Sequence, residues 1–247
     1  MTRTVRYAVI LAAGRGERLR PLTTSRPKAL IFVGRQTILG RILETLEDQG
    51  VNKLILITGY RGNLIKKYVR ENFPGLHVVF LRNRKYSRTN TLYSLWLAHA
   101  QVAGKPFLLF DGDLVFEPRI LQAVLKSKAS SVLACDGGRR LDKEAVCVTG
   151  EPGGRICQIG KQLLRRETVL GESIGLAKFG GHSSRLLFRV GREVLRKPHG
   201  MSAYYEAAFQ EMVNRGVLLK TVDIRGSRWA EIDMRQDLRR ARVLFKV

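Results

Sequence analysis

The chain has 247 residues, 45% of them hydrophobic and 26% charged, the composition of an ordinary globular protein with enough length to bury one large core. No apolar run reaches the about 18 residues that cross a bilayer as a helix, and Met1-Thr-Arg-Thr leads into no signal-like segment, so a cytoplasmic protein without a transmembrane segment is expected. Lys and Arg number 44 against 21 Asp and Glu, a net charge of +23, which admits an anionic partner.

That charge is dispersed. Arg139-Arg140, Arg165-Arg166 and Arg239-Arg240 lie far apart, no run of five like charges occurs, and the aromatics of a single-strand platform are missing. Nucleic acid is therefore expected to bind only through non-specific electrostatics. Cys135, Cys147 and Cys157 are odd in number and form no C-x-x-C pair, which suits a reducing compartment and small core residues. The four histidines, His77, His99, His182 and His199, lack zinc-ligand spacing.

Strand and helix patterns alternate from the start, as in a parallel α/β sheet. The apolar run Tyr7–Ala12 reads as the first strand. Ile38, Leu39, Ile42, Leu43 and Leu46 recur at helical spacing and stop at Gly50. Lys53–Thr58 is a second strand closed by Gly59, and Asn63 is a candidate cap for a helix carrying Leu64, Ile65, Tyr68 and Val69. A strand is expected over 77–81, a helix over 91–100 and a strand over 107–110 that ends in Asp111-Gly-Asp113. A helix over 120–126 leads to a strand over 131–135.

Beyond this point the pattern changes. Segments 145–149 and 156–159 flank Gly150-Glu-Pro-Gly-Gly154 and read as a small inserted β-hairpin. A strand over 173–179, helices over 184–196 and 203–215, strands over 217–224 and 229–232, and a closing helix from Arg235 follow. The expectation is one domain over 1–247, an α/β fold with a mixed, mostly parallel central sheet and flanking helices. Its two halves would be residues 1–135 and 136–247.

Ligands of open α/β sheets sit beyond the carboxyl ends of the strands, and three features fall there. The first is Val9-Ile-Leu-Ala-Ala-Gly-Arg-Gly-Glu-Arg-Leu-Arg20 followed by Ser25-Arg-Pro-Lys28. Its glycines allow close backbone approach, and free N–H groups among cations suit an oligophosphate. Leu19 stands where a dinucleotide loop needs its third glycine, and no Gly-Lys-Ser/Thr follows, so neither common phosphate loop fits. The second feature is Asp111-Gly-Asp113, where Asp111 is either a loop cap or a ligand contact. The third is Glu231-Ile-Asp233 at the end of another apolar run. One carboxylate from each strand end meets the needs of Mg²⁺, a hard cation that takes one or two carboxylates beside substrate phosphates. Asn90 either caps the following helix or bonds a nucleotide. Trp96, at helical spacing with Leu92 and Leu95, reads as core, whereas Trp229 beside the acidic pair is a pocket candidate, whose indole face could hold a quaternary ammonium.

The long pattern Leu-Ala-Ala-Gly-x-Gly-x-Arg-Leu followed by Pro-Lys resembles the nucleotidyltransferases that make activated sugars and phospho-alcohols. Asn90-Thr-Leu-Tyr-Ser-Leu-Trp-Leu-Ala98, Gly171-Glu-Ser-Ile-Gly-Leu-Ala-Lys-Phe179 and Tyr205-Glu206 are similar to segments of the phosphocholine, inositol-1-phosphate and aminoethylphosphonate cytidylyltransferase branch. The resemblance implies an Mg²⁺-dependent enzyme joining an NTP, CTP favoured, to a phosphomonoester such as phosphocholine, inositol-1-phosphate or a sugar-1-phosphate, with release of pyrophosphate. It implies Asp113 and Asp233 as metal ligands and Arg18, Lys28 and Lys161 as catalytic cations, Lys161 from the Ile159-Gly-Lys161 element. Leu11, Ala12, Ala13, Gly14, Gly16, Gly59, Asn90 and Asp111 would line the nucleotide site together with Arg18 and Lys28. Glu172, Glu206, Trp229 and Lys161 would line the acceptor site. The alternatives are a UTP- or GTP-dependent sugar-1-phosphate enzyme on the same fold, and a non-catalytic basic protein that binds nucleotide or nucleic acid.

Overall fold

A computed structural model describes residues 5–138, 141, 144–161 and 168–245; Arg139-Arg140 and Arg165-Arg166 lie outside the described residues. The chain runs β1 (Tyr7–Ala12), β2 (Phe32–Val33), β3 (Gln36–Thr37), α1 (Ile38–Asp48), β4 (Lys53–Thr58), α2 (Gly62–Asn72), β5 (His77–Arg82), α3 (Thr91–Leu97) and α4 (His99–Val102). It continues through β6 (Phe107–Asp111), β7 (Leu114–Phe116), α5 (Pro118–Lys126), β8 (Val132–Asp136), β9 (Cys147–Gly150), β10 (Ile156–Gly160) and β11 (Thr168–Phe179). Last come α6 (Gly181–Arg196), α7 (Glu206–Asn214), β12 (Lys220–Asp223), β13 (Trp229–Glu231) and α8 (Arg235–Leu244).

The strands order as β10-β9-β11-β6-β1-β4-β5, with β8 paired to β11 and β12. β6, β1, β4 and β5 are parallel, while β11 runs antiparallel to β6, β8 and β9. The sheet is thus mixed, and the expected hairpin forms as β9 and β10 at its edge. β1 is apolar throughout because it is buried on both faces. Ala8, Ile10 and Ala12 pack with Leu39, Leu43 and Leu46 of α1 on one side. Val9 and Leu11 join Leu92, Leu95, Leu187 and Phe209 from α3, α6 and α7 on the other. A third cluster, with Leu19, Ile31, Val115, Ile232, Leu238 and Ala241, joins the glycine loop to α8 and to the β7/β13 ribbon.

Several expectations need correction. Asn63 does not cap α2: the helix begins at Gly62, two residues before the start such a cap implies, and its cap is Arg61 at φ 48. The helix expected over 91–100 breaks at Ala98 into α3 and α4. Asn90 is the cap of α3, its side chain accepting from the Thr91 N–H at 2.9 Å. β11 is longer than expected, whereas the 217–224 strand shrinks to Lys220–Asp223. β2, β3 and β7 span two or three residues each, too short to leave a periodic signal. Trp96 is half-buried and packs against the second cluster, stacked on His99 with ring centres 4.5 Å apart. Cys135 and Cys147 are buried, as small core residues, whereas Cys157 is only half-buried.

Candidate active site

The glycine loop begins where β1 ends. Gly16 is left-handed at φ 61, and a Cβ on Gly14 would touch nothing within 4 Å, so this backbone borders open space. Across from it, β6 ends at Asp111, and the turn at Gly112 presses on β1. The Gly112 N–H donates to the Leu11 carbonyl at 3.0 Å, and a Cβ there would lie 2.5 Å from that oxygen.

Asp113 follows, and β7 carries the chain onto β13 in an antiparallel ribbon that pairs Leu114 with Glu231. The Ile232 N–H donates to the Asp113 carbonyl at 3.1 Å. This ribbon is what sets the two acidic pairs side by side. Asp233 is held from the other direction, because Asp237 in the first turn of α8 accepts from the Asp233 and Met234 N–H groups at 3.1 and 2.7 Å.

Asp113, Glu231 and Asp233 each present a carboxylate oxygen within 4.8 Å of the others. Lys28, brought in by a 3₁₀ turn after Pro27, places its ammonium 2.6 Å from Asp113 Oδ2 and in contact with Asp233 Oδ1. Arg18 donates to Asp233 Oδ2 at 2.8 Å. Burial alone would lower the Lys28 pKa, but the two carboxylates outweigh it and hold the ammonium above its ordinary value. Burial would raise Asp233, yet Lys28 and Arg18 draw it below the usual carboxylate range. Glu231 opens to the cleft, and partial burial of its carboxyl, with Asp113 and Asp233 beside it, holds it above the usual carboxylate range. Asp113 Oδ1 is buried and has no hydrogen-bond partner. Three clustered carboxylates, one with an orphaned oxygen, form a hard-oxygen donor set that fits a divalent cation such as Mg²⁺.

Two adjoining cavities share Leu11, Gly14, Arg18, Gly112, Asp113 and Asp233. The smaller, about 310 Å³, adds Ala12, Gly16 and Lys28. The larger, about 370 Å³, adds Asp111, Lys161, Glu172, Glu206 and Trp229. Most of the residues singled out in the sequence therefore converge on one cleft. Three do not: Ala13 and Gly59 pack against each other through Tyr60, whose N–H donates to the Ala13 carbonyl, and Asn90 stays at its cap.

Asp111 is no loop cap. It closes β6 and accepts from the Tyr205 hydroxyl at 2.6 Å, while burial and the nearby Asp113 keep its carboxyl well above the usual range. Trp229 borders the cleft but is buried, and its indole N–H donates to Asp136 Oδ2 at 2.8 Å, so the indole is more wall than exposed face. Lys161 is paired with Glu144 Oε2 at 2.9 Å and lies 5.5 Å from the centre of the Tyr204 ring. Glu231 as third carboxylate was legible as the residue two before Asp233, on the same side of an extended chain. Glu144 and the Tyr205–Asp111 pair carried no such signal.

Among the described residues no helix is long and apolar enough to cross a membrane. The model of the MobA-like NTP transferase domain matches residues 8–172. CTP:phosphoglutamine cytidylyltransferase of Campylobacter jejuni is 27% identical over 252 residues, spanning 94% of this chain and 97% of that protein. Choline-phosphate cytidylyltransferase of Streptococcus pneumoniae is 41% identical over 106 residues, 43% of this chain and 44% of that protein. The solved inositol-1-phosphate CTP transferase of T. maritima superposes with a TM-score of 0.81 at 24% identity, covering 99% of this chain and 96% of that one. The chain belongs to the MobA-like NTP transferase domain family and is a nucleotidyltransferase acting on phosphate-bearing substrates.

Proposed function

We propose that this enzyme joins CTP to a small phosphomonoester and releases pyrophosphate, with Mg²⁺ as its cofactor. The observation that carries the reading is the junction of Lys28 and Arg18 with Asp113 and Asp233 at the mouth of an open glycine loop. Cytidylyl transfer is favoured over uridylyl or guanylyl transfer because the relatives compared above act with CTP.

An oxygen of the acceptor phosphate attacks the α-phosphorus in line, the α–β bridging P–O bond breaks, and pyrophosphate leaves with the bonding pair. A phosphate is already anionic at neutral pH, so no general base is needed. The loop from Leu11 to Gly16 offers backbone N–H groups to the triphosphate, and Lys28 and Arg18 balance the charge that grows on the leaving group. Asp113 and Asp233, with Glu231 beside them, would hold the Mg²⁺, which supplies charge neutralisation at the phosphates when bound. Lys161, partly exposed and ion-paired with Glu144, steers the acceptor phosphate. Residues 1–135 then hold the nucleotide and 136–247 the acceptor, with Asp233 reaching back across the cleft.

The test is pyrophosphate release over a panel of NTPs and phosphomonoesters. CTP with at least one phospho-alcohol should give the highest kcat/KM. A clear preference for UTP or GTP with a sugar-1-phosphate would transfer the reading to that reaction.

A further inference from the structure

We propose that the exposed face of α6 is a docking surface for an anionic phospholipid membrane, built on a stripe of four arginines. This goes beyond the reaction proposed above and does not depend on it.

Charges that are dispersed along the sequence are collected here in space. Arg185, Arg189, Arg192 and Arg196 follow one another in α6 at steps of four, three and four, the spacing that sets side chains in one line along a helix. All four are exposed. The other side of α6 is apolar: Leu187, Phe188, Val190 and Val194 are buried in the second core cluster, so packing fixes the arginines outward. At about 1.5 Å per residue the stripe runs for about 16 Å, and the exposed Lys197 adds one more cation at its end.

The stripe carries unanswered charge. Among the described residues none of the four arginines makes an ion pair or a side-chain hydrogen bond. The one acid of α6, Glu193, pairs with Arg215 at 2.5 Å, which also takes Glu211. On α8, by contrast, Arg235 donates to the Arg20 carbonyl and Arg242 to the Phe32 carbonyl. Arg196 lies in the last turn of α6, where a cation answers the helix dipole, but the other three lie before it. Like charges three and four residues apart on a helix repel, so four in line are a standing cost that an anionic partner relieves.

The shape of the face selects the partner. A planar layer of phosphate headgroups meets all four guanidinium groups and Lys197 at once. A nucleic-acid duplex curves away from a straight line of charges and meets only part of it. A single strand needs open ring faces on which to stack its bases. The neighbouring α3, whose Leu92 would lie 3.4 Å from a Cβ on Gly191, offers none: Trp96 is stacked with both Tyr93 and His99, and Lys85 lies over the Tyr93 ring.

The experiment measures co-sedimentation of the full chain with vesicles of phosphatidylcholine alone and of phosphatidylcholine with about 30% phosphatidylglycerol, at about 0.1 M salt. No nucleotide is added, so the outcome stands whatever the substrates of the enzyme are. One variant combines Arg185→Gln, Arg189→Gln, Arg192→Gln and Arg196→Gln. A second combines Lys67→Gln, Arg70→Gln, Lys126→Gln and Lys128→Gln, removing the same charge from exposed positions of α2 and the end of α5, which pack on the first core cluster. The wild type should bind the anionic vesicles about tenfold or more tighter than the neutral ones. At about fivefold per cation the α6 variant should lose about 10²-fold or more, while the second, screened across the sheet, should stay within about threefold of wild type. Equal losses in the two variants would reduce the effect to net charge and overturn the stripe. Equal binding of both vesicles by the wild type would overturn the membrane. Anisotropy titrations with duplex and single-stranded DNA run alongside; tighter binding of either than of the anionic vesicles, lost in the α6 variant, would make nucleic acid the partner and overturn the proposal. Should the α6 variant fail to fold, Arg189→Gln and Arg192→Gln taken singly should each lose about fivefold, and no loss in either overturns the stripe.

Discussion

The Lys28 ammonium lies 2.6 Å from Asp113 Oδ2 and also contacts Asp233, so one cation from the N-terminal loop ties together acids from two separate strand ends. The Lys28 side chain is only 13% exposed, which keeps water from screening the contact. This is the joint on which the glycine loop, β6 and β13 meet.

Asp113→Asn and Asp233→Asn should each lower turnover by about 10²-fold or more at saturating Mg²⁺, since on the proposed reading each removes a charged ligand of the cation. Both variants should fold, because Lys28 keeps its other carboxylate. Pyrophosphate release and circular-dichroism melts check this. Near-normal turnover in either variant would remove that residue from the reaction centre.

Lys28→Ala and Arg18→Ala should both lose about 10²-fold in kcat, yet differ in stability. Without Lys28, Asp113 has neither oxygen paired and an acidic cluster faces itself, at a cost on the order of 2–3 kcal/mol. The Arg18 side chain is 53% exposed, so its pair with Asp233 is worth at most about 1 kcal/mol. Urea unfolding beside steady-state kinetics separates the two. A change confined to KM would limit these residues to ground-state binding.

Gly14→Ala is expected to leave stability within about 0.5 kcal/mol, because its backbone is not left-handed and its new Cβ meets no atom within 4 Å. The methyl group would project into the open space that the proposed reading gives to the nucleotide, so the KM for CTP should rise several-fold. An unchanged CTP KM would show that the phosphates do not approach this backbone.

Glu206 links stability to pH. A carboxyl held near 7 in the folded protein and near 4.5 when unfolded adds stability fully below pH 4.5, and that stability drains away as pH rises to 7. The span corresponds to roughly 3 kcal/mol. Glu206→Gln lacks this dependence, so it should melt at the same temperature as wild type or lower near pH 4.5 and several degrees above it at pH 8. Parallel curves for the two proteins across pH 4.5–8 would refute the buried, raised carboxyl.

Nucleic acid should bind weakly, and its affinity should fall steeply as salt rises, since phosphate contacts release counterions. CTP with Mg²⁺ should weaken far less over the same range, because directed N–H groups and a chelated cation hold it. Paired titrations across salt test this. Sequence-selective binding that survives physiological salt would make the +23 charge a functional surface in its own right.

Much of the glycine-loop end of the cleft was legible in the sequence because its signals are local. Tyr7–Ala12 and Lys53–Thr58 are strands with the expected bounds, since a strand buried on both faces must be an unbroken apolar run. Asp113 and Asp233 each stood at the end of such a run. The three-residue β7 that joins them left no periodic trace, so their distance was not readable. Asn63 misled because a good capping residue two positions late looks the same in sequence as one in place.

The sequence by itself determined the α/β layering, the glycine loop and the set of charged residues available to it, because hydrophobic period and glycine placement act within a few residues of chain. Tertiary structure alone decided which charges meet. Lys28 finds Asp233 across 205 positions because the β7/β13 ribbon and the capped start of α8 carry that carboxylate back to the loop. It also decided that Trp229 turns its N–H to Asp136 and that Glu206 Oε2 is buried without a partner. Side-chain pairing depends on how distant elements pack and exclude water, and that arrangement has no spacing rule along the chain.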